Sequence, residues 1–316
     1  MSPFLRCTRA IAVAAVCGSA LLPAQVVIHS APLDVTHGKP FAMVMVNGRG
    51  PFRFVIDTGT GTEAFVAPEL AEQLGLPAAG QARLSDPSGQ GGQRVPMVMI
   101  QSLKVAGLDF GSFKAPVHAL STDDGPCLGL LGFALFRDYL LTLDFPNRRM
   151  LLQAGELAPD GERTVLPFRS PDGVPIVQMM IGRLHVDAQI DSGGQGLSLP
   201  EQVAARLKFA AEPSAFSNGQ SLSTKFQIKA ARLANDVHVG GYTFEHPFVE
   251  INPAFPLANF GSCPMQSFAL TFDQKRGLIR FEARQKNLHL AATPSSLRLD
   301  LVPSAKPPDP TLVPVG

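Results

Sequence analysis

From Phe41 to Thr60 the chain reads FAMVMVNGRGPFRFVIDTGT. Apolar residues alternate as far as Asn47-Gly48, resume after it, and stop at Asp57. Alternation on both sides of an Asn-Gly pair predicts a β-hairpin. The pattern returns from Val174 to Gly194, as VPIVQMMIGRLHVDAQIDSGG, with its turn at Gly182-Arg183 and its end at Asp191-Ser192-Gly193. Each hairpin is followed by a proline opening a short amphipathic segment, in VAPELAEQLGL (Val66–Leu76) and SLPEQVAARLKF (Ser198–Phe209). Proline is well placed at a helix start, where its missing N–H is not needed.

The ends of the two halves also correspond. LLGFALFRDYLLTLDFPNRRMLL (Leu130–Leu152) parallels FGSCPMQSFALTFDQKRGLIRF (Phe260–Phe281). Each carries a glycine, a short helical segment, an LT-x-D element and a basic turn into a last strand. Asp57 precedes Gly132 by 75 residues, and Asp191 precedes Gly261 by 70. Motifs repeated in the same order at similar spacing predict a duplicated β-rich unit, with a period too long for a solenoid. The boundary is expected in the turn-rich stretch from Gly155 to Arg163, giving one unit over 27–155 and another over 163–284. A Pro-rich flexible tail is expected over 285–316, with the LRLDLV patch (Leu297–Val302) able to fold back as a strand.

Composition agrees with this picture. The chain has 316 residues, 45% apolar and 17% charged, with 29 Gly, 28 Pro and no Trp, which favours turns and short strands over long helices. The first 24 residues read as a secretory signal: Arg6 and Arg9, an apolar run from Ile11 to Leu22, then Pro23-Ala24. An uncleaved anchor is the alternative, although the run is short for a spanning helix. Val16 is too large for the position before a lipid-bearing cysteine, which argues against lipid attachment at Cys17. The expected location is therefore exported, periplasmic or extracellular, with no stable membrane span after cleavage. Removing the segment takes two of the 27 basic residues and none of the 26 acidic ones, leaving a net charge of −1. No basic stripe remains to suggest nucleic acid. Cys127 and Cys263 remain; export permits a disulfide between them, and two separate thiols are the alternative.

Several chemistries lack their residues. GTGTEA (Gly59–Ala64) has dinucleotide-like glycine spacing, but no helix opens directly on it and the second copy lacks the pattern. No G-x-S-x-G elbow, Walker lysine or H-E-x-x-H occurs. His238 and His246 have no cysteine or acid cluster at ligand spacing, so neither metal nor cofactor is expected.

Asp57 and Asp191 remain. A single Asp-Thr-Gly reads as a turn. Two, each ending an apolar strand in a repeated unit, predict that the same loop from each half meets its mate. Two adjacent carboxylates share a proton and titrate as a unit. The charged member then draws a proton from water while the protonated member donates to a carbonyl oxygen. Thr58 and Ser192 are placed to hydrogen-bond across the seam, and Gly59 and Gly193 to permit close approach.

VIDTGT and QIDSGG, each followed downstream by an element ending in glycine (LLG, Leu130–Gly132; NFG, Asn259–Gly261), resemble the aspartic peptidase family. More narrowly, the chain resembles bacterial proteins with two retropepsin-like domains in tandem. The resemblance covers most of residues 35–283. It implies a mainly β fold of two closed β-barrel lobes related by pseudo-twofold symmetry, with short helices. It implies a catalytic dyad of Asp57 and Asp191, supported by Thr58, Gly59, Ser192, Gly193, Gly132 and Gly261. A flap is implied in the Ser85–Pro96 loop, at Ser88, Gly89, Gln90 and Gly91. The implied partner is a peptide or protein substrate, with apolar subsites beside the scissile bond. The implied assembly is a monomer that is its own pseudo-dimer. Three departures from the family pattern stand out: no tyrosine in the flap, Gly194 where Ser, Thr or Ala often follows the triplet, and Asn259 in the second glycine element. A peptide-binding module on the same fold, without hydrolysis, is the alternative function.

Overall fold

The structure, a computed structural model, describes residues 27–36, 38–85, 92–119, 127–220 and 225–290. The predicted signal, the flap residues Ser88–Gly91 and the LRLDLV patch lie outside them.

The fold is mainly β, and both predicted hairpins form. Strands Phe41–Val46 and Arg49–Asp57 pair antiparallel, with Phe41 opposite Val55. Asn47 and Gly48 both have positive φ (49° and 74°), the conformation a tight hairpin turn needs and this residue pair tolerates. Strands Ile176–Ile181 and Leu184–Ile190 pair in the same way, with Ile176 opposite Gln189 and Gly182 at φ 59° in the turn.

A third strand joins each hairpin from far along the chain. Gly129–Gly132 runs parallel to Arg49–Asp57 and sits between it and Ala64–Val66. Ala258–Phe260 runs parallel to Leu184–Ile190 and sits between it and Leu197–Pro200. In each half the chain thus leaves a strand, passes over the end of the inserted strand, and returns on its other side. The apolar run before each aspartate reflects this central position. Phe54 and Ile56 in one half, and Ala188 and Ile190 in the other, are fully buried in the main core.

The two prolines behave differently. Pro68–Leu74 is a helix of two turns, closed by Gly75 in the left-handed conformation. After the second proline only Glu201–Ala204 of the expected segment is helical. There Leu197–Pro200 is used as a buried strand beside Phe248–Asn252, so the helix starts only after Pro200, and Phe209 then returns to bridge Leu233.

The halves are joined by a six-stranded sheet. Its order is Ile28–Pro32, Arg149–Gln153, Leu140–Asp144, Ala269–Asp273, Leu278–Glu282, Val165–Pro167. The two LT-x-D elements meet at its centre: Leu141 faces Phe272, Thr142 faces Thr271 and Leu143 faces Leu270. Leu140–Asp144 is buried throughout. Asp144 accepts from the Asn147 side chain and from Arg149 Nε at 2.8 Å, and Asp273 from the N–H groups of Leu157 and Arg276. Each acid thereby closes the basic turn that follows it.

The ordered chain continues past the expected limit at Arg284. Asn287–Leu288 pairs parallel with Tyr242–Phe244, and Leu288 and Leu290 are buried. The alternation in Leu288-His289-Leu290 supplies an apolar face that the edge beside Phe244 covers. No disulfide joins Cys127 and Cys263. Among the described residues no helix is long and apolar enough to cross a membrane.

Thr142 Oγ1 and Thr271 Oγ1 lie 2.9 Å apart in the buried centre of the joining sheet. Thr142→Val leaves the Thr271 hydroxyl only a 3.5 Å contact from Arg280 Nη2. A loss of about 1–2 kcal/mol in urea unfolding is expected. The double variant Thr142→Val/Thr271→Val is expected to recover most of it, because no polar group is then stranded.

Candidate active site

Asp57 ends its strand opposite Gly132, and Asp191 follows Ile190, which lies opposite Phe260. The loop after each aspartate crosses the glycine that ends the inserted strand. A Cβ on Gly132 would lie 3.0 Å from Thr60 O, and one on Gly261 would lie 2.5 Å from Gln195 O and 2.7 Å from Gly196 O. These glycines are needed for space. Their N–H groups bond to the crossing loops, Gly132 to Glu63 O at 2.9 Å and Gly261 to Gly196 O at 3.0 Å.

The two loops lock onto each other. The Thr58 N–H donates to Ser192 Oγ (3.1 Å), and the Ser192 N–H donates to Thr58 Oγ1 (3.0 Å). Each hydroxyl then donates across the seam, Thr58 Oγ1 to Ile190 O and Ser192 Oγ to Ile56 O, both at 2.7 Å. Both residues are fully buried. Gly59 and Gly193 make the approach possible. A Cβ on Gly193 would lie 2.6 Å from Asp57 Oδ2, and one on Gly59 would lie 2.5 Å from Asp191 Cγ.

The carboxyls are therefore brought together, each lying against the glycine of the other loop. Asp57 Oδ1 accepts from the Gly59 N–H (2.8 Å) and Oδ2 from Thr60 Oγ1 (2.9 Å). Asp191 Oδ1 accepts from the N–H groups of Gly193 and Gly194 (both 2.9 Å), and Oδ2 from Asn259 Nδ2 (3.0 Å). Gln189 Nε2 reaches Gly59 O at 3.3 Å. Burial pushes the Asp57 carboxyl up to about 8, with the charge of Asp191 adding to it; donation from Thr60 and Gly59 works the other way. Such a pair can hold one proton and present one charged and one protonated oxygen face to a bound carbonyl.

All eight residues expected at the dyad and its support thus lie in one constellation. The flap residues Ser88, Gly89, Gln90 and Gly91 lie outside the described residues. The arms leading to them, Ala78–Ser85 and Gly92–Ile100, form an antiparallel hairpin. Its second arm is tied down through Gln93 Nε2, 3.1 Å from His118 Nδ1. His238 and His246 have separate partners, Thr243 Oγ1 at 3.0 Å and Asp236 at 3.8 Å. Thr60, Gln189 and Asn259 belong to the constellation without having been singled out as site residues. Thr60 was legible as a hydroxyl three positions after the acid. Gln189 and Asn259 needed the strand register.

Residues 42–135 match a family model described as aspartyl protease, which supports an aspartic peptidase family assignment. The match covers the Asp57 half. A search of the curated proteins finds no match.

The raised Asp57 carboxyl makes stability depend on pH. The folded state holds a proton that the unfolded chain releases near 3.8, so this group's contribution is complete below that pH. It is lost as pH rises toward about 8. Asp57→Asn removes the dependence. The variant is expected to melt higher than the parent at pH 7.5, with the gap closing toward pH 3.5, as read by thermal unfolding at both values.

Proposed function

We propose that the chain is an aspartic endopeptidase with one active site, built from Asp57 and Asp191 on two tandem lobes related by a pseudo-twofold axis. The observation that carries this is the reciprocal Thr58–Ser192 interlock, which sets the two carboxyls side by side. The lobes are taken as the hairpin-plus-inserted-strand units of each half, with the axis passing near the facing Thr142 and Thr271. The chain is then a monomer acting as its own pseudo-dimer. Export is proposed from the signal-like first 24 residues.

In this mechanism the shared proton rests on Asp57 and Asp191 is the base. A water between the carboxyls gives a proton to Asp191 as its oxygen adds to the peptide carbonyl carbon. Asp57 gives its proton to the carbonyl oxygen, so a neutral gem-diol forms. Asp191 then passes its proton to the amide nitrogen. The C–N bond breaks to leave an amine, and a gem-diol hydroxyl returns its proton to Asp57 as the carboxylic acid forms. The starting protonation state is restored with no covalent enzyme intermediate.

The two sheet faces that carry the aspartates differ. Across the first half the strand register aligns Phe41, Val55, Leu130 and Phe65. Directly opposed residues project from the same face, and this row with Cys127 forms an apolar cluster separate from the main core. In the second half the corresponding row is Ile176, Gln189, Asn259 and Ser198.

Incubation of the mature protein with casein from pH 3 to 7 is expected to yield fragments. Asp57→Asn and Asp191→Asn are each expected to lower kcat by about a hundred- to ten-thousandfold. Full activity in either variant would remove the dyad. Peptide binding without cleavage by the parent would favour the binding module.

A further inference from the structure

We propose that Asn259 positions the Asp191 carboxylate, replacing a side-chain hydroxyl that the second loop lacks; this rests on the dyad reading above. The two loops read Asp-Thr-Gly-Thr (57–60) and Asp-Ser-Gly-Gly (191–194). In the first, the fourth residue donates its hydroxyl to Asp57 Oδ2 at 2.9 Å. In the second, Gly194 has only its N–H to give, and this goes to Asp191 Oδ1. The donor to Asp191 Oδ2 comes instead from Asn259 Nδ2 at 3.0 Å, on the inserted strand 68 residues away.

Strand register shows that this is an exchange between equivalent sites. Asn259 lies opposite Gln189, two residues before Asp191, as Leu130 lies opposite Val55, two residues before Asp57. A position that is apolar in one half is an amide in the other. Gly194 makes room for it: a Cβ there would overlap Asn259 Nδ2 and lie 2.6 Å from Asp191 Oδ2. Gly194 has no positive φ, so what it provides is space rather than backbone freedom. Glycine at 194 and asparagine at 259 therefore belong together.

The orientation of the amide supports the assignment. Asn259 Oδ1 is buried and accepts no hydrogen bond among the described residues. An unpaired buried acceptor is costly. Turning the amide over would set that oxygen against the Asp191 carboxylate, two acceptors facing each other, and would give up a charge-assisted bond. The amide is thus oriented by Asp191. The other titratable groups around it are Asp57, across the seam, and Glu250, whose carboxyl lies against Gly196 beyond Ser198. Gln189 is neutral. The expected role of Asn259 is to fix the outer oxygen of Asp191, so that the two acids are held in different settings and the proton rests on Asp57.

The test is Asn259→Leu, which installs the residue found at position 130, with Asn259→Ala as a second variant should leucine disturb the fold. Loss of one donor to the charged form is expected to lower kcat about tenfold at unchanged KM and to move the acid limb of kcat/KM up by about one pH unit. Adding Gly194→Ser to Asn259→Ala supplies a hydroxyl in the vacated space and is expected to restore most of kcat and return the limb. Gly194→Ser alone is expected to impair, because Asn259 still occupies that space. Carbon-13 NMR of the aspartate carboxyls in the labelled protein reads the first titration step of the dyad without activity, and that step is expected to rise by the same amount in Asn259→Leu. An unchanged titration in folded Asn259→Leu or Asn259→Ala, or no recovery in the double variant, would overturn the proposal. A parent protein that cleaves nothing would defeat the peptidase reading, and the NMR titration would still decide the role of Asn259.

Discussion

Thr58 and Ser192 each have a hydroxyl sealed from solvent that both gives and receives a hydrogen bond across the seam between the two halves. A buried hydroxyl left unpaired costs about 1–3 kcal/mol, so neither loop is satisfied without the other. Once the loops are locked, little freedom is left to the carboxyls. Gly59 and Gly193 leave out side chains that would hold them apart, and each carboxyl lies against the other loop's glycine. Two acids forced together cannot both be charged without penalty. Burial first, and the charge of Asp191 second, push the Asp57 carboxyl up, and the interlock enforces both. The joining sheet supports the same geometry from behind, with its two buried LT-x-D strands facing each other residue by residue.

Much of this was legible in the sequence because it lies in repeated patterns with a simple physical cause. Alternation around Asn47-Gly48 gave the first hairpin its register and turn. The recurrence of an acid at the end of an apolar run pointed to both loops, and the glycines at 132 and 261 marked where a backbone would pass too close for a side chain. What was not legible depends on partners distant in the chain. Helix 201–204 is short because the residues before it are claimed by a strand pairing with Phe248–Asn252. Leu288 and Leu290 are ordered because an exposed edge beside Phe244 was available to cover them. Asn259 looked like a poor copy of a glycine element, and only the register shows its amide reaching Asp191.

The two halves share their strand order around the aspartates but differ in the side chains facing across them. Val55, Leu130 and Phe65 in one half correspond to Gln189, Asn259 and Ser198 in the other. Sheet pairing tolerates such divergence because backbone bonds carry the ladder while side chains on one face are free to change. The two halves can therefore keep the interlock and the acids while differing in the side chains on that face. The difference also distinguishes the acids: Asp57 takes its outer hydrogen bond from its own loop, and Asp191 from a neighbouring strand.

The central claim is that the two carboxyls act as one group holding one proton. Under the proposed function, its most direct test is the pH dependence of kcat/KM on an internally quenched peptide. The account predicts a bell, rising as the pair loses its first proton and falling as it loses its second. A rate that climbs to a plateau and stays there through alkaline pH would contradict it.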